Sequence, residues 1–476
     1  MTSDHNGGSH EANTVTSSRP GSFALDIESR SIAGAAKDWV GRLRSGEPGA
    51  LPSVAGLVVL AVFFSQVSSR FLTKNNVGNL PAQGSYIAII ALGLVFVLLL
   101  GEIDLSAGTT GGMCAGFAVQ AIFSGNLRDS VATSVYWGLI AGMVATIALG
   151  VWLKAYTASV VVLAGLVIML FNLDKHVVPA LIAALAVGAA VGIFNGWLVA
   201  KIGIPSFIVT LALFLAWQGM LLFAVKSQPK GITNYSFWYD LTHKNLSPAL
   251  SWVFTIVVVG GYLAYTLIKS ITSQRRGLAH DKISLVVLRA GVLAAVGVVI
   301  TILANENRNT NQFLKIEGLP IAAVVPVGLM VICTLALTKT SWGRHLYATG
   351  GNEEAARRAG IDVVHIKVTA FALCSSFAAL GGIFLASYTG GVQLDLGAGN
   401  ILLFSVAAAV IGGTSLFGGR GKPRDAIIGA LVIAIIPNGL GLKPEWPPQN
   451  QQVITGGVLL AAAAVDALTR RRSRTR

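Results

Sequence analysis

The chain has 476 residues, 54% of them hydrophobic and only 12% charged, with 54 glycines. That balance excludes an ordinary soluble domain, which could not cover so much apolar surface with polar side chains. The formal charge of +14 lies largely on loops between apolar runs, so it points to anionic lipid and away from nucleic acid.

Residues 1–50 read as an N-terminal cytoplasmic tail. Its first 22 residues are rich in Gly, Ser, Thr and Asn and contain neither an apolar run nor a secretory signal. From 32 to 44, Ile32, Ala35, Ala36, Trp39, Val40 and Leu43 recur at helical spacing beside Lys37, Arg42 and Arg44. This predicts a helix lying on the inner leaflet.

Apolar runs then follow at 51–69, 83–100, 106–124, 132–150, 156–172, 178–200, 204–225, 249–269, 284–304, 319–338, 366–389, 400–417, 426–441 and 452–468. A helix rising about 1.5 Å per residue crosses hydrocarbon with about 20 such residues, and it satisfies its own backbone groups. The expectation is an all-α, polytopic transmembrane protein with about fourteen hydrophobic segments, the transmembrane domain covering 51–468. The glycine-rich runs 106–124, 400–417 and 426–441 are candidates for broken or re-entrant segments. Lys and Arg largely fall on alternate loops, at Lys154, Lys201, 269–282, 339–367, 420–424 and the basic tail 469–476, with Lys226, Lys230 and Lys244 the main exceptions, which predicts cytoplasmic N- and C-termini.

Polar residues inside apolar surroundings are the candidate functional groups. Gly101-Glu102-Ile103-Asp104-Leu105-Ser106 sets two carboxylates between apolar runs, where an ionised group is expensive. Asp104 or Ser106 can cap the helix starting near Ala107; alternatively, the acids line a translocation pathway, bonding sugar hydroxyls or carrying a proton. Asn195, Gln218 and Asn438 are amides within spans, suited to interhelical hydrogen bonds or to a passing sugar. Gly192 and Gly196 allow close helix packing. In Gly203-Ile204-Pro205-Ser206, Gly203 suits a tight turn and Pro205 the start of a helix.

The loop 339–367 reads KTSWGRHLYATGGNEEAARRAGIDVVHIK. Asn352 can cap a short helix in which Glu353 and Glu354 favour the N-terminal dipole end and Arg357 and Arg358 the C-terminal end; Gly360 suits the left-handed C′ position. Ala355, Ala356 and Ala359 leave a face of small residues. Two turns of helix are marginal in water, so this one should dock, either on its own membrane helices or in a groove of a cytoplasmic partner.

The pattern Gly343-Arg344, Ala348, Gly350-Gly351-Asn352, Ala355-Ala356, Gly360-Ile361 resembles the loop of the ribose and xylose permeases of bacterial ABC sugar importers. GEIDLSAG at 101–108, GIFNGWLVAKIGIPSFIVTLA at 192–212 and VIGGTSLFGGRG at 410–421 agree in order, and the likeness runs from about Phe71 to Ala467. Extra hydrophobic runs and Glu102 before Ile103-Asp104 make the chain most similar to the xylose-type branch.

The resemblance implies a non-enzymatic permease subunit in a bacterial plasma membrane, importing a monosaccharide, with a pentose such as xylose the leading substrate. It also implies a second permease copy, a separate ABC ATPase bound through 352–359 and an extracytoplasmic sugar-binding protein. The alternative is a proton-coupled secondary transporter using Glu102 and Asp104. A membrane-embedded enzyme finds no nucleophile or metal set to support it. The family commonly carries acids where this chain reads Ile401-Leu402-Leu403-Phe404-Ser405, and small residues where it reads Lys422-Pro423-Arg424-Asp425.

No cofactor is expected. Gly421-Lys422 is followed by Pro423, where a phosphate-binding loop needs Ser or Thr. Cys114, Cys333, Cys374 and the scattered histidines have no metal-ligand spacing.

Overall fold

The computed structural model describes residues 51–277, 282–309 and 315–443, with scattered residues between 445 and 460. The tail 1–50 with its expected helix at 32–44, the basic tail 469–476 and most of the 452–468 run lie outside the described residues.

The helices are α1 (Leu51–Val67), α2 (Lys74–Leu99), α3 (Ala107–Ser124), α4 (Thr133–Trp152), α5 (Tyr156–Leu170), α6 (Val177–Trp197), α7 (Ser206–Val225) and α8 (Ser236–His243). They continue as α9 (Pro248–Arg275), α10 (Ile283–Asn305), α11 (Ile321–Lys339), α12 (Ser341–Gly351), α13 (Glu353–Arg358), α14 (Val363–Thr389), α15 (Asn400–Gly412) and α16 (Pro423–Gly441). Each expected run up to 426–441 coincides with one of these. Among the described residues nine helices are long and apolar enough to cross a membrane, namely α2, α4, α6 with its π turn Leu198–Ile202, α7, α9, α10, α11, α14 and α16. The chain is a multi-pass helical membrane protein.

Three details differ from the pattern of hydropathy. α2 begins at Lys74, well before the apolar run, because Thr73 caps it by accepting from the Asn76 N–H; Pro81 lies inside it. The expected run 400–417 is broken, since α15 ends at Gly412 and Gly413 takes φ +122°. Thirteen residues rise roughly 20 Å, short of a full crossing. The run 426–441 is one continuous helix, although it contains Pro437.

Contacts divide the chain into a smaller unit, whose described part is residues 257–277 and 282–295, and a larger unit holding the rest of the described chain. The smaller consists of the later part of α9 and the first part of α10. In the larger, α2, α6 and α14 are buried along most of their length, whereas α4 and α7 expose apolar side chains such as Trp137, Val144, Phe207 and Leu215.

The centre is α14, packed on α6, α2 and α3. Hydrocarbon offers no hydrophobic force between helices, so association rests on close packing and interhelical hydrogen bonds. Gly192 and Gly196 supply the closeness: a Cβ at Gly192 would collide with the Phe371 carbonyl, and one at Gly196 would lie 2.6 Å from the Val368 Cα. The segment after α7 folds back on the same helix. There β1 (Lys230–Gly231) pairs antiparallel with β2 (Gly391–Val392), and the buried Trp238 indole donates to the Ile383 carbonyl at 2.8 Å.

Gly192→Leu forces α6 off α14 and is expected to destabilise the folded chain by about 1–3 kcal/mol, the usual cost of overpacking. Thermal unfolding in detergent measures it. Gly260→Leu, where a Cβ meets nothing within 4 Å, should leave the midpoint unchanged.

Candidate functional site

The first cluster of functional side chains lies where α2 ends and α14 and α16 begin. α12 is capped by Thr340, whose hydroxyl accepts from the Gly343 N–H at 3.0 Å, and Arg344 is exposed on its surface. Asn352 ends α12 and caps α13, its Oδ1 accepting from the Ala355 N–H at 2.9 Å. Arg357 reaches Glu353 at 2.9 Å and Arg358 reaches Glu354 at 3.2 Å, both one turn apart. Gly360 takes φ +83°; its N–H donates to the Arg357 carbonyl while the Ile361 N–H donates to the Ala356 carbonyl at 3.1 Å. This is a Schellman stop.

The alanine face is divided by the fold. Ala356 is buried at 4% exposure against the chain itself, whereas Ala355 and Ala359 stay exposed. Only the exposed pair is open to a partner.

Three sequence motifs meet beside this loop. A Cβ at Gly350 would collide with the Leu99 carbonyl, and the Gly419 N–H donates to that carbonyl at 2.8 Å. Gly101, with φ +76°, lies against the backbone of Phe417 and Gly418. Tyr347 donates its hydroxyl to the Gly421 carbonyl at 2.7 Å. Burial, with the Asp425 carboxylate nearby, pushes its phenol up to about 12, so the donor survives at any physiological pH. The half-span α15 thus continues as a loop, 413–422, that ends against Gly350 and Gly101.

Glu102 and Asp104, adjacent but one in sequence, have separate surroundings. Glu102 accepts from Lys367 Nζ at 2.8 Å, and the same nitrogen donates to Glu353 at 2.9 Å. Asp104 is wholly buried, with the Cys374 thiol beside it. Its Oδ1 accepts from both the Ser106 N–H at 2.9 Å and the Ser106 hydroxyl at 2.7 Å. Ser106 occupies the N-cap position of α3 without making a side-chain cap bond, because its hydroxyl is turned to Asp104. Asn195 donates to that hydroxyl at 3.3 Å, and the Ser206 hydroxyl accepts from the Ile103 N–H at 3.2 Å. The Gly101–Ser106 turn is therefore bonded to α6 and α7.

The second cluster is at the opposite ends of α2, α14 and α16. A cavity of about 320 Å³ is lined by Asn76, Gln83, Tyr86, Tyr388, Phe404 and Asn438, among others. Asn76 and Asn438 exchange amide hydrogen bonds, both at 2.9 Å. The rings of Tyr86 and Tyr388 lie 5.7 Å apart. Of the six candidate pathway residues, Asn438 alone reaches this cavity. Glu102, Asp104, Ser106 and Asn195 gather at the other end, and Gln218 sits half-buried on α7 away from both. Sequence reasoning missed Asn76, Gln83, Tyr86 and Tyr388. The spacing of Asn76, Gln83 and Ile87 on one helical face was the available signal, hidden in a stretch too polar to look like a span.

Residues 155–463 match the family described as branched-chain amino acid transport system, permease component. The chain belongs to this permease family. It is similar to the xylose transport system permease protein of Haemophilus influenzae, 30% identical over 426 residues, covering 88% of this chain and 96% of that protein. The protein of the same description from Escherichia coli is 30% identical over 434 residues, covering 88% and 92%. The ribose import permease protein of Escherichia coli is 27% identical over 418 residues, covering 87% and 92%. No solved structure matches.

The Asn76–Asn438 pair is testable by a double-mutant cycle. Each single alanine removes both bonds of the exchange, although the Asn76 amide keeps its bond to the Phe71 carbonyl at 2.9 Å, so the double variant should lose less than the sum, by roughly 1 kcal/mol. Unfolding in detergent reads the coupling.

Proposed function

We propose that this chain is the membrane-spanning subunit of an ATP-driven importer of a monosaccharide, a pentose such as xylose. It forms the translocation pathway, pairs with a second permease copy and is driven by a separate ATPase. An extracytoplasmic binding protein delivers the sugar. The names of the relatives support the substrate class, and one geometric observation supports the division of labour: the ends of α2, α14 and α16 that meet the loop of α12 and α13 lie opposite the ends that form the amide- and tyrosine-lined cavity.

Arg344, Arg357 and Arg358 lie on α12 and α13, Lys154 pairs with Asp362 just before α14, and Lys201 lies over the Trp152 ring beside Lys154. Their placement favours a cytoplasmic α13 and an outward cavity. Amides bond sugar hydroxyls as donors and acceptors, and tyrosine rings cover the apolar faces of a sugar. Affinity in this scheme resides in the binding protein, so the pathway needs only weak contacts. The proton-coupled alternative is less well supported, because no acid is among the described residues lining the cavity and Glu102 is held by Lys367.

The test is uptake into proteoliposomes. With the ATPase and binding protein present, xylose uptake should require ATP and survive a proton ionophore. Uptake that persists without the ATPase and collapses with ionophore would sink the proposal.

Docking is checked by substitution on the exposed alanines. Ala355→Asp with Ala359→Asp should abolish co-purification of the ATPase while the permease stays folded. Ala356→Glu instead buries a charge in the chain's own packing and should lower the yield of folded permease, read by size-exclusion profile.

A further inference from the structure

Lys367 occupies the second turn of α14, and its side chain is only 11% exposed. Its ammonium joins two carboxylates from distant segments: Glu102, in the turn between α2 and α3, and Glu353, at the start of α13. An ammonium presents three donors around a compact charge, so it can hold both at once. Glu353 is also held by Arg357 through its other oxygen, at 2.9 Å.

The charges are arranged so that the junction can open. Removing one partner of a buried ion pair is costly because the other charge is left bare. Here neither side is left bare. If α13 moves away, Glu353 leaves with Arg357, and Lys367 remains with Glu102. Whatever moves α13 therefore meets a tie that holds when closed and separates without stranding a charge.

Lys367 also sits where movement spreads furthest. Through Glu102 it reaches the Gly101–Ser106 turn, which is bonded to α6 by Asn195 and to α7 by Ser206 and Thr210. Through its own backbone it belongs to α14, whose far end carries Tyr388 at the cavity.

We propose that Lys367 is a separable latch that transmits movement of α13 to the Gly101–Ser106 turn and α14, coupling ATP hydrolysis to opening of the pathway. The proposal rests on the reading of α13 as the ATPase-docking helix. Lys367 is a positioning residue and touches neither sugar nor nucleotide.

The experiment reconstitutes the full chain with its ATPase and binding protein and measures two quantities, ATPase co-purification and sugar taken up per ATP hydrolysed. Lys367→Met should co-purify the ATPase at the wild-type level while uptake per ATP falls about tenfold. Lys367→Arg, which keeps charge and donors, should restore most of it. Unchanged uptake per ATP in Lys367→Met, or an equal loss in Lys367→Arg, overturns the latch. So does lost co-purification in Lys367→Met, which would make Lys367 part of the docking surface. If Lys367→Met fails to accumulate, Glu102→Gln carries the test: a drop in uptake per ATP supports the latch and a wild-type ratio overturns it. The docking reading fails separately, if the ATPase still co-purifies with the Ala355→Asp, Ala359→Asp variant.

Discussion

The close backbone approach between α14 and its neighbours is the constraint on which the rest depends. In hydrocarbon an apolar side chain gains nothing by leaving lipid for protein, so helices stay together by fitting tightly. α14 is met on one side by the stripe of Gly192 and Gly196 and on another by α3, where Gly382 and Gly111 are in mutual backbone contact. α14 is one continuous helix from Val363 to Thr389. That is why the chemistry at its two ends, Lys367 and Tyr388, can be treated as one mechanical system.

The two ends are built on different principles. At the α13 end, backbone carbonyls, glycines and ion pairs bring three motifs together in a compact junction. At the other end, amides and phenols surround an open volume. The first arrangement suits transmission of force, since each bond is directional and specific. The second suits brief contact with a hydroxylated solute.

The helix at α13 was legible from the sequence because capping is a local matter. Asn352, the Glu353–Arg357 and Glu354–Arg358 spacing and Gly360 act on neighbours within a turn or two, so no tertiary context is needed to read them. The start of α2 was not legible. Lys74 to Gln83 is too polar to read as a span, and it is helical because Thr73 caps it and Asn76 bonds Asn438 on α16. Pairing Glu102 with Lys367 was equally invisible, because their closeness follows from the packing of α2 and α14.

The sequence by itself determined that the chain is a helical, many-spanning membrane protein with a short capped helix outside the spans, and its motifs pointed to a permease. Those properties rest on hydropathy, charge placement and capping, which are summed over neighbouring residues. Only the tertiary structure decided that Ala356 faces inward, that Glu102 and Asp104 part company, and that Asn438 belongs to a cavity with Asn76 and the two tyrosines. Such pairings join residues hundreds of positions apart, and they depend on how near two backbones come, which the glycines permit but do not by themselves specify.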